Sequence, residues 1–97
     1  MKVVHCKKEK YDVYIGRPSI WGNPYTHIND KKTAAQFIVS SREEAIEKYE
    51  DYLRNNKELL ELLPTLKDKI LGCWCSPKPC HGDILIKLYN EYFQKDL

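Results

Sequence analysis

The sequence is short of most features that would place it in a large functional class. It has no surplus of charge: sixteen Lys and Arg face fourteen Asp and Glu, a formal net charge of +2 over 97 residues. Both signs are mixed along the chain, so the general basic footprint of a nucleic-acid binder is missing and a nucleic-acid partner is not expected. No apolar run approaches the ~20 residues of a membrane-spanning helix, so no membrane partner is expected either. Near the N-terminus only Val3-Val4 is apolar, too little for the h-region of a secretory signal. A cytoplasmic protein is expected. In that compartment the four cysteines read as thiols, metal ligands or site residues in preference to a disulfide framework. Repeats and low-complexity stretches are absent, and the length suits one domain over residues 1–97.

What the chain does have is concentrated. Three of the four cysteines and one of the three histidines fall within Gly72-Cys73-Trp74-Cys75-Ser76-Pro77-Lys78-Pro79-Cys80-His81-Gly82-Asp83. An apolar pair, Ile70-Leu71, enters this stretch and an amphipathic helical pattern leaves it. It reads as strand, tight prolyl loop and helix start, the place where ligands collect in α/β folds. Cys73 and Cys75, two apart on a strand, face one side and Trp74 the other.

In chain order, residues 2–6 read as a strand, 7–10 as a charged turn and 12–16 as a second strand, close enough to the first to form a hairpin. The Gly- and Pro-rich residues 16–25 form a fixed loop carrying Arg17, Trp21 and Asn23. Residues 26–37 read as a polar loop with a short helical turn near 33–37. Ser41-Arg42-Glu43-Glu44 is a capping box for a helix that reaches about Asn55 and turns Ala45, Ile46, Tyr49, Tyr52 and Leu53 inward. Leu59, Leu60, Leu62, Leu63 and Leu66 mark a shorter helix interrupted by Pro64. Residues 70–75 are the third strand. The last helix starts at Gly82 or Asp83 and carries Ile84, Leu85, Leu88, Tyr89, Tyr92 and Phe93 inward. The expected fold is a small α/β domain with a sheet of about three or more strands, three helices packed on it, and the character of a Rossmann fragment.

Several chemistries compete at the Cys/His stretch. The unpaired first amides of a helix carry about half a positive charge and attract phosphate, and Gly82 would let a ligand approach. Asp83 would cap the helix or accept from a ribose hydroxyl. Cys73, Cys75, Cys80 and His81 are four soft ligands, but their spacing is not that of a zinc knuckle, and no metal is assigned. Cys80, at a helix start beside His81, has surroundings that lower a thiol pKa. In the other loop, Arg17, Trp21, Gly22 and Asn23 offer a charged fork, a stacking face and an amide; alternatively, Trp21 plugs the core.

Ile15-Gly16-Arg17-Pro18, Trp21-Gly22-Asn23-Pro24, Ser41-Arg42-Glu43-Glu44-Ala45, Leu71-Gly72-Cys73-Trp74-Cys75 and Cys80-His81-Gly82-Asp83 together resemble the small-domain family numbered 4326 among the domains of unknown function, found in phages, bacteria and large viruses. The resemblance implies a small accessory protein acting in the infected cell's cytoplasm.

The leading expectation is a pocket for a nucleotide-derived small molecule. One wall is Arg17, Trp21, Gly22 and Asn23; the other is Cys75, Cys80, His81, Gly82 and Asp83. In a phage, such a binder would sequester a nucleotide immune signal of the host. A second reading is an enzyme acting on a nucleotide, nucleoside or nucleobase, with His81 as acid/base and Cys80 or Asp83 as its partner. A third is a zinc-stabilised interaction module. No cofactor is called for. At this size a homodimer through the tyrosine-rich last helix is a further expectation.

Overall fold

Strand β5 (Ile70–Cys73) is the hub of the main sheet, with β1 (Lys2–His5) on one side and β2 (Val13–Tyr14) on the other, both parallel to it. The computed structural model describes residues 1–26, 37–75 and 78–93. A second sheet pairs β3 (Tyr25–Thr26) with β4 (Phe37–Ile38), again in parallel. The helices are α1 (Arg42–Arg54), α2 (Lys57–Leu62), continued by a 3-10 turn at Leu63–Leu66, and α3 (His81–Phe93). The fold is a small α/β domain.

β5 takes the centre because it is apolar on both faces: Leu71, Gly72 and Cys73 are all buried, as a strand in a covered parallel sheet must be. This overturns the expected hairpin. β1 and β2 both satisfy their backbone groups on β5, and no Asn-Gly or Asp-Gly turn joins them. Asp12 fixes the start of β2: its amide donates to Ile70 O (2.8 Å), and its carboxylate accepts from Ile70 N (2.8 Å).

Helix α1 begins at Ser41, whose hydroxyl accepts from Glu44 N (3.0 Å). Glu44 reaches back one residue further than the capping-box pattern implies, to Ser40 N (2.8 Å). Ala45, Tyr49 and Leu53 form the buried face of α1. Tyr49 and Leu53 meet Leu59, Leu63 and Leu66 and the α3 residues Ile84, Leu85, Leu88 and Tyr89 in one core.

Several expectations change at element ends. Tyr92 and Phe93 are 38% and 44% exposed, because α3 outruns the core in its last turn, and Leu62 is 40% exposed. The third strand stops at Cys73 and α3 starts at His81. Phe37, read as the end of a helical turn, lies in β4. The rest of that turn and most of the loop before it fall outside the described residues, as do Ser76 and Pro77.

Candidate functional site

With β1, β5 and β2 parallel, their C-terminal ends share one edge of the sheet, and α3 starts there. The ladder continues past the strands: Cys6 N donates to Cys73 O (2.9 Å) and Ile15 N to Gly72 O (3.0 Å). His5, Cys6 and Lys7, then Tyr14 to Arg17, then Cys73 to Cys75 therefore arrive side by side. Such an edge is where open α/β sheets bind ligands.

The two loops singled out in the sequence do meet, through His81. Its Nε2–H donates to Ile15 O (2.6 Å), and its ring packs edge-on against Tyr49 (5.0 Å between centroids). Tyr49 in turn donates from its hydroxyl to Trp21 O (2.8 Å). Burial lowers the His81 pKa, and the nearby Arg17 charge pushes the same way against the Ile15 bond and Asp83. His81 is thus neutral, with one ring nitrogen committed to the backbone.

Residue by residue, much of the expected pocket is spent on the fold. Trp21 is 4% exposed and sits in the core, so it is the plug and offers no face for stacking. Asn23 is also buried. Its amide nitrogen donates to Ala45 O (3.0 Å) and its side-chain oxygen accepts from Tyr25 N (2.9 Å), leaving no free edge for a sugar or base. Arg17 is half-buried; one Nη donates to Asn23 O (3.1 Å). Gly22 packs against Arg17, where an added Cβ would come 3.0 Å from the Arg17 Cα. Ser19 Oγ, in the same loop, is buried and meets no hydrogen-bond partner among the described residues.

At the other wall, Cys80 is the residue before α3, and its sulfur accepts from Gly82 N (3.3 Å). Asp83 is a turn inside the helix and does not cap it; its carboxylate accepts from Cys80 N (3.1 Å), the reciprocal half of a capping box. Gly82 is needed for packing and does not make room for a ligand: a Cβ there would come 2.8 Å from both Ile15 Cδ1 and Val3 Cγ2. The Cys80 thiol is pushed up, the reverse of a catalytic thiol, because it hydrogen-bonds the Cys73 sulfur and is buried. Cys75 is half-buried against the core. Among the described residues no three His, Cys, Asp or Glu side chains are grouped to hold a metal ion.

The exposed chemistry at this edge comes from residues the sequence reading passed over. Trp74, the first residue after β5, is 54% exposed. Its Nε1 donates to Tyr14 OH (2.8 Å), and that hydroxyl donates to Arg17 O (3.1 Å). His5 meets the indole edge-on at 5.9 Å, and Lys7 Nζ lies 5.3 Å from the ring centre. An indole, an imidazole, a phenol and an ammonium thus form one cluster beside Arg17. The signal was available: strand alternation placed Trp74 opposite the buried Cys73.

The fold and this edge define a small α/β domain with an aromatic and cationic rim at its strand ends. The chain belongs to the family described as "Domain of unknown function (DUF4326)", whose model matches residues 2–91. It is 37% identical over 99 residues to the "Uncharacterized 12.4 kDa protein in nrdA-td intergenic region" of Enterobacteria phage T4, covering 98% of this chain and 82% of that protein. It is 36% identical over 90 residues to "Uncharacterized protein R718" of Acanthamoeba polyphaga mimivirus, covering 81% of this chain and 67% of that protein. No solved structure matches. No helix among the described residues is long and apolar enough to cross a membrane.

Proposed function

We propose that the chain binds a nucleotide-derived small molecule at the C-terminal edge of the β1-β5-β2 sheet. The observation that carries this is Trp74, a large aromatic face left exposed at the end of the central strand and oriented by Tyr14. An indole offers stacking area to any base ring, worth ~1–3 kcal/mol per base. Lys7, on its flexible stem, swings from the ring to meet a phosphate, and the Arg17 guanidinium supplies a second cation. Asp83, exposed on the first turn of α3, would accept from a sugar hydroxyl with the carboxylate oxygen that Cys80 N does not use. Binding is favoured over turnover because Cys80 is held protonated and His81 Nε2 is already bonded. For a phage member of the family, such binding would withdraw a nucleotide immune signal from the host.

A thermal-shift panel of mono-, di- and cyclic nucleotides tests this, with the ligand recovered afterwards to see whether it is intact. A ligand at a hundred times its dissociation constant adds about 2.7 kcal/mol of stability. Trp74→Ala should abolish that shift while costing the apo protein only about 0.5–1.5 kcal/mol, the worth of one hydrogen bond. Trp21→Ala should instead cost about 3–5 kcal/mol of stability, as a large core truncation does. A shift that survives Trp74→Ala would rule out this site.

A further inference from the structure

Two thiols meet where the central strand ends and the last helix begins. Cys73 is the final residue of β5 and Cys80 immediately precedes α3; both are buried, and their sulfurs lie 3.2 Å apart. They are not disulfide-bonded. Residues 74–79 run between them, starting with the exposed Trp74 and including the half-buried Cys75. The binding site proposed above uses neither the Cys73 nor the Cys80 sulfur.

Buried cysteines commonly act as small apolar side chains, but packing alone does not require two sulfurs to face each other. A disulfide has an S–S length of about 2.05 Å, and at 3.2 Å the two sulfurs are already in contact. The short segment between them already returns the chain to this point.

We propose that Cys73 and Cys80 form a reversible dithiol–disulfide pair whose reaction partner is a low-molecular-weight disulfide such as oxidised glutathione. The Cys80 thiol gives up its proton and attacks one sulfur of the small disulfide. This forms a mixed disulfide and releases one small thiolate, which takes up a proton. Cys73 then gives up its proton and attacks Cys80 Sγ, forming the protein disulfide and expelling the second small thiolate, which is protonated in turn. Two protein thiols are oxidised and one small disulfide is reduced to two thiols. The bond ties together both ends of the segment that carries Trp74. The hydrogen bond to Cys73 and burial hold Cys80 protonated, so the reaction needs transient exposure of the Cys80 sulfur. The chemistry stands whether or not a nucleotide binds at Trp74.

The test equilibrates the full chain in glutathione buffers from fully reduced to fully oxidised, then quenches with acid and alkylates the remaining thiols. The proposal predicts a product lighter by two hydrogens, with two of the four cysteines protected from alkylation. Chymotrypsin, cutting after Trp74, should leave the peptide that ends in Trp74 joined to the peptide that carries Cys80. The same linkage should form in Cys75→Ser and disappear in Cys80→Ser. The proposal is overturned if all four cysteines stay alkylatable at the oxidised limit, if the linkage involves Cys75 or Cys6, or if glutathione adducts accumulate without closing. The peptide that carries Cys80 also carries Cys75, so it is the linkage formed in Cys75→Ser that assigns the bond to Cys80, and a misfolded Cys80→Ser would leave that assignment intact.

Discussion

His81 joins the two loops by staying neutral, and this gives stability a pH dependence. Its folded pKa is lowered, chiefly by burial, so the unfolded chain takes up a proton that the folded chain resists. Stability should be fully present above the ordinary imidazole pKa of about 6.5 and fall as the pH drops below it, until the folded pKa is reached. His81→Gln keeps a donor for Ile15 O without the titration. Urea midpoints measured between about pH 6.5 and pH 5 should fall more steeply in the wild type than in the variant. Parallel slopes would mean that the buried imidazole does not control this junction. Trp21 and Trp74 make a second residue-scale contrast: each sits beside a Gly or Cys in a marked motif, and composition alone gives no reason to choose the stacking residue. The Trp21 loop closes onto Ala45 and Tyr49, far along the chain, and local sequence could not reveal which tryptophan that closure would bury.

At the scale of elements, α3 is held close to the sheet by a missing side chain. Gly82 leaves its helix turn against Ile15 and Val3 with no room for a Cβ, which would come 2.8 Å from each. Gly82→Ala should therefore destabilise the fold by about 1–3 kcal/mol, the usual cost of overpacking, even though alanine is the better helix former. A guanidinium titration with an unchanged or higher midpoint would show that α3 can shift without loss. The helices were the most legible elements in the sequence. Ser41 and Glu44 announced α1, Pro64 marked the change to a 3-10 turn, and the apolar period of α3 held through Tyr89. The strands were less legible because β2, β3 and β4 have only two residues each, too few for a period-2 pattern. β2 takes its pairing from β5, in a distant part of the chain, and β3 and β4 pair with each other across the intervening loop. The cap of α3 was misplaced for a related reason: Cys80 is not among the usual N-cap residues, and Asp83 was read as the cap itself.

For the molecule as a whole, the parallel order β1-β5-β2 separates two ends with different chemistry. At the C-terminal edge of the sheet lie His5, Lys7, Tyr14, Arg17, Trp74 and Asp83. The other end holds a cleft of about 230 Å³ lined by Met1, Lys67, Asp68, Ile86, Tyr89 and Asn90. A homodimer remains a proposal, to be weighed by sedimentation; the exposed Tyr92 and Phe93 are the α3 side chains it would cover. The two ends are best distinguished by one experiment: a two-dimensional NMR titration of the labelled chain with the nucleotide that gives the largest thermal shift. The account predicts that the Trp74 indole N–H and the amides of His5, Lys7, Arg17 and Asp83 move together and saturate, while the buried Trp21 indole stays in place. Shifts centred on Met1, Lys67 and Asp68, or no saturating shift with any nucleotide, would contradict it.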